Sequence, residues 1–361
     1  MPVATDRPAA RQAREPGTPP RSLVALASAA LALTTGVAIW LLPAEAGDDR
    51  AVPGLDARAG VTASGLATRS TAGPSPARSV VSSTGRPSGF VTFVDTVRDP
   101  LFNLPEATGK DRVHWFTLGH LTTGRRECVP TWGGGKERDG GLVADRLSRL
   151  RAAGGDAGLA FGGPVGRELA AACTDLDRLV AAYRQAIDTF DATYIDFEVQ
   201  DPADAETVLR RARAIAALQR EAEAGGRSLI VSFTLPVTGA GLAPSDQTML
   251  RSTREAGAEI TAVNLLATVG PAPGPGLTRG SLRPVASAVR AAHPQIAESL
   301  GEPVAWSRIA LTPVLSSSHD LTPVNARRLI AFTSRNKLAW LSIRGAAPTP
   351  KVARFLTVST Y

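Results

Sequence analysis

The chain has 361 residues, enough for one large domain with extensions. Its hydrophobic content of 43% is that of a folded protein. The formal charge of +7 comes almost wholly from Arg. Few aromatics interleave with those Arg residues and no recognition motif accompanies them, which argues against a nucleic-acid partner.

Residues 1–21 are polar and basic, with Arg7, Arg11, Arg14 and Arg21, and read as a cytoplasmic tail. Ser22 to Leu42 carries no charge. A signal peptide has an apolar core of about 7–15 residues, and a spanning helix needs about 20. The run is long enough to span, and the preceding Arg residues would stay in the cytoplasm. Ala44-Glu45-Ala46 also offers a small-x-small cleavage site. Residues 22–46 are therefore a transmembrane anchor or a signal segment, and either one puts the rest of the chain outside the cytoplasm. Residues 47–87 are rich in Ser, Thr, Gly, Pro and Ala without apolar periodicity, the composition of a flexible linker. The folded domain is expected over residues 88–361.

Within it, short apolar runs alternate with amphipathic stretches. Strands are expected at Phe90–Asp95, Val113–Gly119, Gly158–Gly163, Thr193–Gln200, Leu229–Leu235, Ile260–Ala267, Ile309–Val314 and Leu338–Ile343. Helices are expected over Leu142–Ala153, Leu176–Phe190 and Ala205–Ala224, with Asp175 and Asp204 at N-cap positions. Thr322-Pro323 opens a further helix, with Pro in its first turn. Eight strands joined by helices make a (β/α)8 TIM barrel. A doubly wound open sheet is the alternative. The barrel is preferred because polar and small residues gather at the C-terminal strand ends, where a barrel builds its site.

Tyr194 to Gln200 holds the densest chemistry. With a period of two, Asp196, Glu198 and Gln200 share one face, and Ile195, Phe197 and Val199 share the other. That pattern suits a barrel strand with a wet interior mouth. The glycine runs Gly133-Gly134-Gly135 and Gly154-Gly155 lack the strand–loop–helix setting of a phosphate cradle. The four His residues show no metal-ligand spacing. No cofactor is implied. Cys128 and Cys173 are the only cysteines, so an oxidising compartment would pair them. Closing that loop is worth ~4 kcal/mol in the chain-entropy model.

Several of these segments together resemble the glycoside hydrolase family 18 chitinases. Asp196-x-Glu198-x-Gln200 is similar to the family's Asp-x-Asp-x-Glu on strand four. Val94-Asp95-Thr96 is similar to its first strand, and Ala160-Phe161-Gly162-Gly163 to its third-strand Ser-Phe-Gly-Gly. Val231 to Pro236 is similar to its fifth strand. Cys128-Val129-Pro130-Thr131-Trp132-Gly133-Gly134 and Ala171-Ala172-Cys173-Thr174-Asp175 resemble segments of a secreted bacterial branch. The resemblance runs from Phe93 to the end of strand eight.

It implies a substrate-assisted mechanism, outside the two-carboxylate scheme. In the family a Glu protonates the leaving oxygen while the sugar's own acetamide attacks. The middle Asp and a Tyr orient that acetamide, and a Trp floors the subsite. This chain departs at each place. Gln200 stands at the acid position and Glu198 at the middle Asp position, and only Asp196 of the acidic row is kept. Leu266-Ala267-Thr268-Val269-Gly270 lacks the Asp-Tyr pair, and Ile343-Arg344 replaces Met-Trp. Arg344 could pair with Glu198 across the mouth. Phe93, Ala160, Gly162, Gly163 and Arg344 are the implied substrate-binding positions.

The expected function is a catalytically inactive chitinase-like protein at the cell surface. It would bind a chitin-like or N-acetylglucosamine-containing glycan, or a cell-wall or protein partner. One alternative is an active chitinase with a displaced general acid. Another is a wall-spanning partner-binding protein without sugar affinity.

Overall fold

The computed structural model describes residues 85–135, 140–199, 202, 204–270 and 280–358. The expected tail, the apolar run and most of the linker lie outside them, as do Gln200 and the Pro-rich residues 271–279. The packed structure begins slightly earlier than residue 88, because Pro87 is already buried.

The chain forms the expected (β/α)8 barrel. Eight strand positions run parallel in the order β1 (Val91–Asp95), β2 (Trp115–Thr123), β4 (Asp156–Gly162), β5 (Tyr194–Glu198), β6 (Ile230–Thr238), β8 (Ala262–Thr268), β9 (Ile309–Leu315) and β10 (Arg344–Gly345). Two short strands lie off this path. β3 (Pro130–Trp132) pairs antiparallel with β2, and β7 (Gly241–Leu242) with β6. Leu341 closes the ring: its N–H donates to the Gly89 carbonyl and its carbonyl accepts from Val91, both at 2.9 Å.

Several strand ends shift by up to three residues, and two strands differ more. The second runs on to Thr123 because β3 pairs with its end, placing Leu121 opposite Trp132. That partner comes from a later segment, so local pattern could not reveal it. The eighth was expected over Leu338–Ile343. Its ladder instead reduces to bridges at Leu341 and a two-residue pairing of Arg344 and Gly345 with Val314 and Leu315.

The helices follow the apolar spacing. Those joining the main strands include α1 (Leu104–Asp111), α2 (Gly140–Ala152), α3 (Leu169–Ala172), α4 (Leu176–Phe190), α5 (Ala205–Ala224), α6 (Pro244–Glu255), α7 (Arg283–Leu300) and α8 (Pro323–Asn336); α9 (Pro350–Val358) ends the described fold. Asp175, Asp204 and Thr322 cap α4, α5 and α8, accepting from the backbone N–H of Arg178, Glu206 and Asn325 at 2.9, 3.1 and 3.1 Å. Each such cap contributes about 1 kcal/mol.

The alternation read on strand four is realised in space. Phe197 faces outward and stacks between Phe161 and Phe233, with ring centroids 5.6 and 5.5 Å away. Tyr183 of α4 closes over that row edge-on. With one face fixed by this apolar layer, Asp196 and Glu198 must point into the barrel.

Candidate active site at the barrel mouth

The interior is filled in layers, as in other barrels of this kind. At the N-terminal end Val91, Trp115, Tyr194, Ile230, Ala262, Ala310 and Trp340 form an apolar plug. Above it lies a polar layer. The Asp196 carboxylate is 1% exposed and accepts from the Ser232 and Thr234 hydroxyls, the latter at 2.7 Å. Tyr194 reaches Ser232 at 2.9 Å. Thr234 in turn accepts from the Asn264 amide at 3.0 Å, and the Asn264 carbonyl from Thr312 at 2.8 Å. The network thus crosses β5, β6, β8 and β9. Burial pushes the Asp196 carboxyl up to about 6, against the two hydroxyl hydrogen bonds that favour its charged form.

Glu198 stands one pleat higher and is 5% exposed. One oxygen, Oε2, meets Nε2 of His120 at 2.7 Å and accepts from Nη2 of Arg344 at 2.7 Å. Burial acts to raise this carboxyl, but the His120 hydrogen bond and the Arg344 charge outweigh it and hold the group below its ordinary value. The Arg344 guanidinium carbon also lies over Phe93, 3.0 Å from the ring centroid, and His120 packs on the same ring at 5.0 Å.

Structure thus brings Phe93, Asp196, Glu198 and Arg344 together at one end of the barrel. A cavity of about 310 Å³ opens there, lined among others by Phe93, Asp95, His120, Val165 and Arg344. Neither Asp196 nor Glu198 lines it. Ala160 is wholly buried and sits beside Asp196 in register. Gly162 and Gly163 are needed for close approach rather than for contact with the cavity. A Cβ on Gly162 would lie 2.5 Å from the Glu198 carbonyl, and one on Gly163 would lie 2.4 Å from the His120 ring. At the sixth-strand end, Val269 is buried and Gly270 exchanges backbone hydrogen bonds with Ser281, so that corner presents backbone and an aliphatic side chain.

His120 is the site residue that sequence reasoning misses. Strict alternation from Thr117 would send it outward beside Phe116 and Leu118. The register of β2 against β4 shifts between Leu118 and Leu121, and this turns His120 to the interior. Its position is fixed by the Cys128–Gly134 segment, where the Gly133 N–H donates to the His120 carbonyl at 2.8 Å. A disulfide joins Cys128 to Cys173, as expected, with 4.9 Å between the Cα atoms. It ties the loop that carries β3 to the end of α3.

No family model matches the chain. Sequence relatives exist among characterised proteins. A probable bifunctional chitinase/lysozyme of Escherichia coli K12 is 27% identical over 180 residues, covering 49% of this chain and 20% of that protein. Endochitinase 11 of Metarhizium anisopliae is 25% identical over 179 residues, covering 49% of this chain and 34% of that protein. The matching segment therefore spans only 20% and 34% of these two relatives. Among solved structures, active domain 2 of the Pyrococcus furiosus chitinase superposes with a TM-score of 0.64 at 22% identity, covering 76% of this chain and 95% of that one. That structure is of catalytic site mutants complexed with chito-oligosaccharides. The sequence relatives carry chitinase activity in their names, and the fold is the TIM barrel of the solved chitinase. The chain is similar to these chitinases over about half its length.

Proposed function

We propose that this protein is a catalytically silent member of the chitinase type that acts outside the cytoplasm and holds a chitin-like glycan without cutting it. One observation carries the reading. The Glu198 carboxylate is already engaged by His120 and Arg344, while the sequence puts an amide, Gln200, where the family places its acid. Neither arrangement leaves a proton to give to a leaving oxygen. General acid catalysis contributes typically 10²–10⁴-fold. Asp196 does not replace it, because its oxygens are turned to Ser232 and Thr234 below the mouth. The chito-oligosaccharides held by catalytic site mutants of the Pyrococcus furiosus domain support binding without turnover in this fold. The disulfide supports an oxidising compartment. Among the described residues no helix is long and apolar enough to cross a membrane, so an anchor would rest on the run before residue 47.

The test is to incubate the purified protein with chitotetraose and measure both bound ligand and released sugar. The expected result is binding with no sugar release above buffer. Release that disappears in Gln200→Ala would overturn the reading. Absence of any binding would favour a protein partner instead.

A further inference from the structure

The site contains a side chain that the proposed glycan reading alone does not require. Arg344 lies where a sugar ring would need an aromatic face and a free carboxylate, and it occupies both. Its guanidinium covers Phe93 at 3.0 Å from the centroid and donates to Glu198 at 2.7 Å. A cation on a desolvated aromatic face is a favourable contact in its own right. The Glu198, Asp196 and Asp95 carboxylates all attract the charge. The backbone beneath it is fixed as well. Arg344 pairs with Val314 in the β9–β10 ladder. Gly345 follows at φ +80°, and a Cβ there would lie 2.1 Å from the Leu315 carbonyl. This is a built-in side chain on a strand and not a long surface arginine that has settled by chance.

The cavity confirms where the closure falls. It reaches Arg344 and His120 and stops, leaving Glu198 and Asp196 beneath them. The four Trp residues of the domain offer no replacement floor. Trp115, Trp132 and Trp340 are buried, and Trp306 is stacked on His293 at 4.0 Å.

We propose that Arg344 is the specificity-determining residue of this mouth: it closes the inner sugar subsite over Phe93 and Glu198 and confines a glycan to the outer cleft. The inference rests on the reading that the mouth takes a chitin-like glycan. It predicts that the protein holds glycans weakly in its native form, by the outer cleft alone. Removing the side chain joins the 310 Å³ cavity to the carboxylate layer and restores a place for one more sugar ring.

Isothermal titration of chitotetraose into the wild type and Arg344→Ala decides it. The expected result is at least a tenfold gain in affinity for the variant, about 1.4 kcal/mol. Removing the arginine leaves Glu198 with less compensation, so Arg344→Ala with Glu198→Gln is measured alongside, after a near-ultraviolet circular dichroism check of folding. Where the single variant does not fold, the double variant is read in its place. Affinity that is unchanged or reduced in the folded variant overturns the proposal. The wild-type titration tests the glycan reading separately. A silent wild type with a binding variant sinks that reading and upholds the plug. A binding wild type whose affinity is lost with Arg344 keeps the reading and sinks the plug.

Discussion

At the N-terminal end of the barrel, Trp115, Tyr194 and Trp340 close the interior with rings and aliphatic neighbours. At the C-terminal end, His120, Glu198 and Arg344 close it with charge over a single aromatic ring, Phe93. Both ends are shut, but by forces of different character. Apolar burial is non-directional and scales with the area removed from water. The polar closure depends on three side chains meeting at one oxygen, and on which of them is ionised. The lower end can therefore serve only stability, whereas the upper end can be opened by a single substitution or by a change of protonation.

Breaking the lower end should have the largest effect. Trp340→Ala removes a buried indole packed edge-on against Tyr194, with ring centroids 5.8 Å apart. A loss of about 3–5 kcal/mol is expected. Denaturant titration should show it with little dependence on pH, since no ionisable group of the mouth touches the change.

The polar layer should answer to pH instead. Asp196 titrates near 6 in the folded protein against an ordinary 3.8. The folded state then holds the extra proton between those values, so stability falls as pH rises from about 4 to about 6 and stays lower above. The ceiling of this effect is roughly 3 kcal/mol, from about 1.4 kcal/mol per pKa unit. Glu198 acts in the opposite sense. Its folded value is depressed, so its contribution is present above its ordinary 4.5 and is lost as pH falls through the folded value. Thermal melts from about pH 2 to about pH 8 should lose their decline between pH 4 and 6 in Asp196→Asn and their loss below 4.5 in Glu198→Gln. Profiles that stay superimposable on the wild type would break the assignment.

The smallest effect sharpens the comparison at one atom. Gly163 has φ +86°, and a Cβ there would strike the His120 ring. Gly163→Ala should cost about 1–3 kcal/mol in backbone strain and displaced packing. The proton on the His120 ring should shift in its nuclear magnetic resonance signal, because the contact with Glu198 is disturbed. An unchanged imidazole signal would mean that His120 is held independently of β4.

Much of this is legible in the amino-acid sequence. Period-two spacing placed Asp196 and Glu198 on the inner face and Phe197 on the outer one, because a pleated strand leaves no other choice once one face is apolar. Asp175, Asp204 and Thr322 were readable as caps because a cap is satisfied within its own first turn. The count of strands and the paired cysteines followed as well. Residue spacing over a few positions determined the strand faces, the caps and the strand count, whereas the cysteine pairing followed from there being only two cysteines.

Only the tertiary structure decided what the mouth contains. His120 turns inward because the β2 register shifts against β4, and a later segment, β3, holds the end of that strand. Arg344 lies 146 residues beyond Glu198, and the sequence could offer the pair no more than adjacency of strands. Its stacking on Phe93 needs a third strand again. Closure of the ring brings the first and last strands side by side, and the chemistry of the site resides in the contacts that closure creates. A local pattern fixes which face a side chain takes, but the partner on that face is set by strands far apart in the chain.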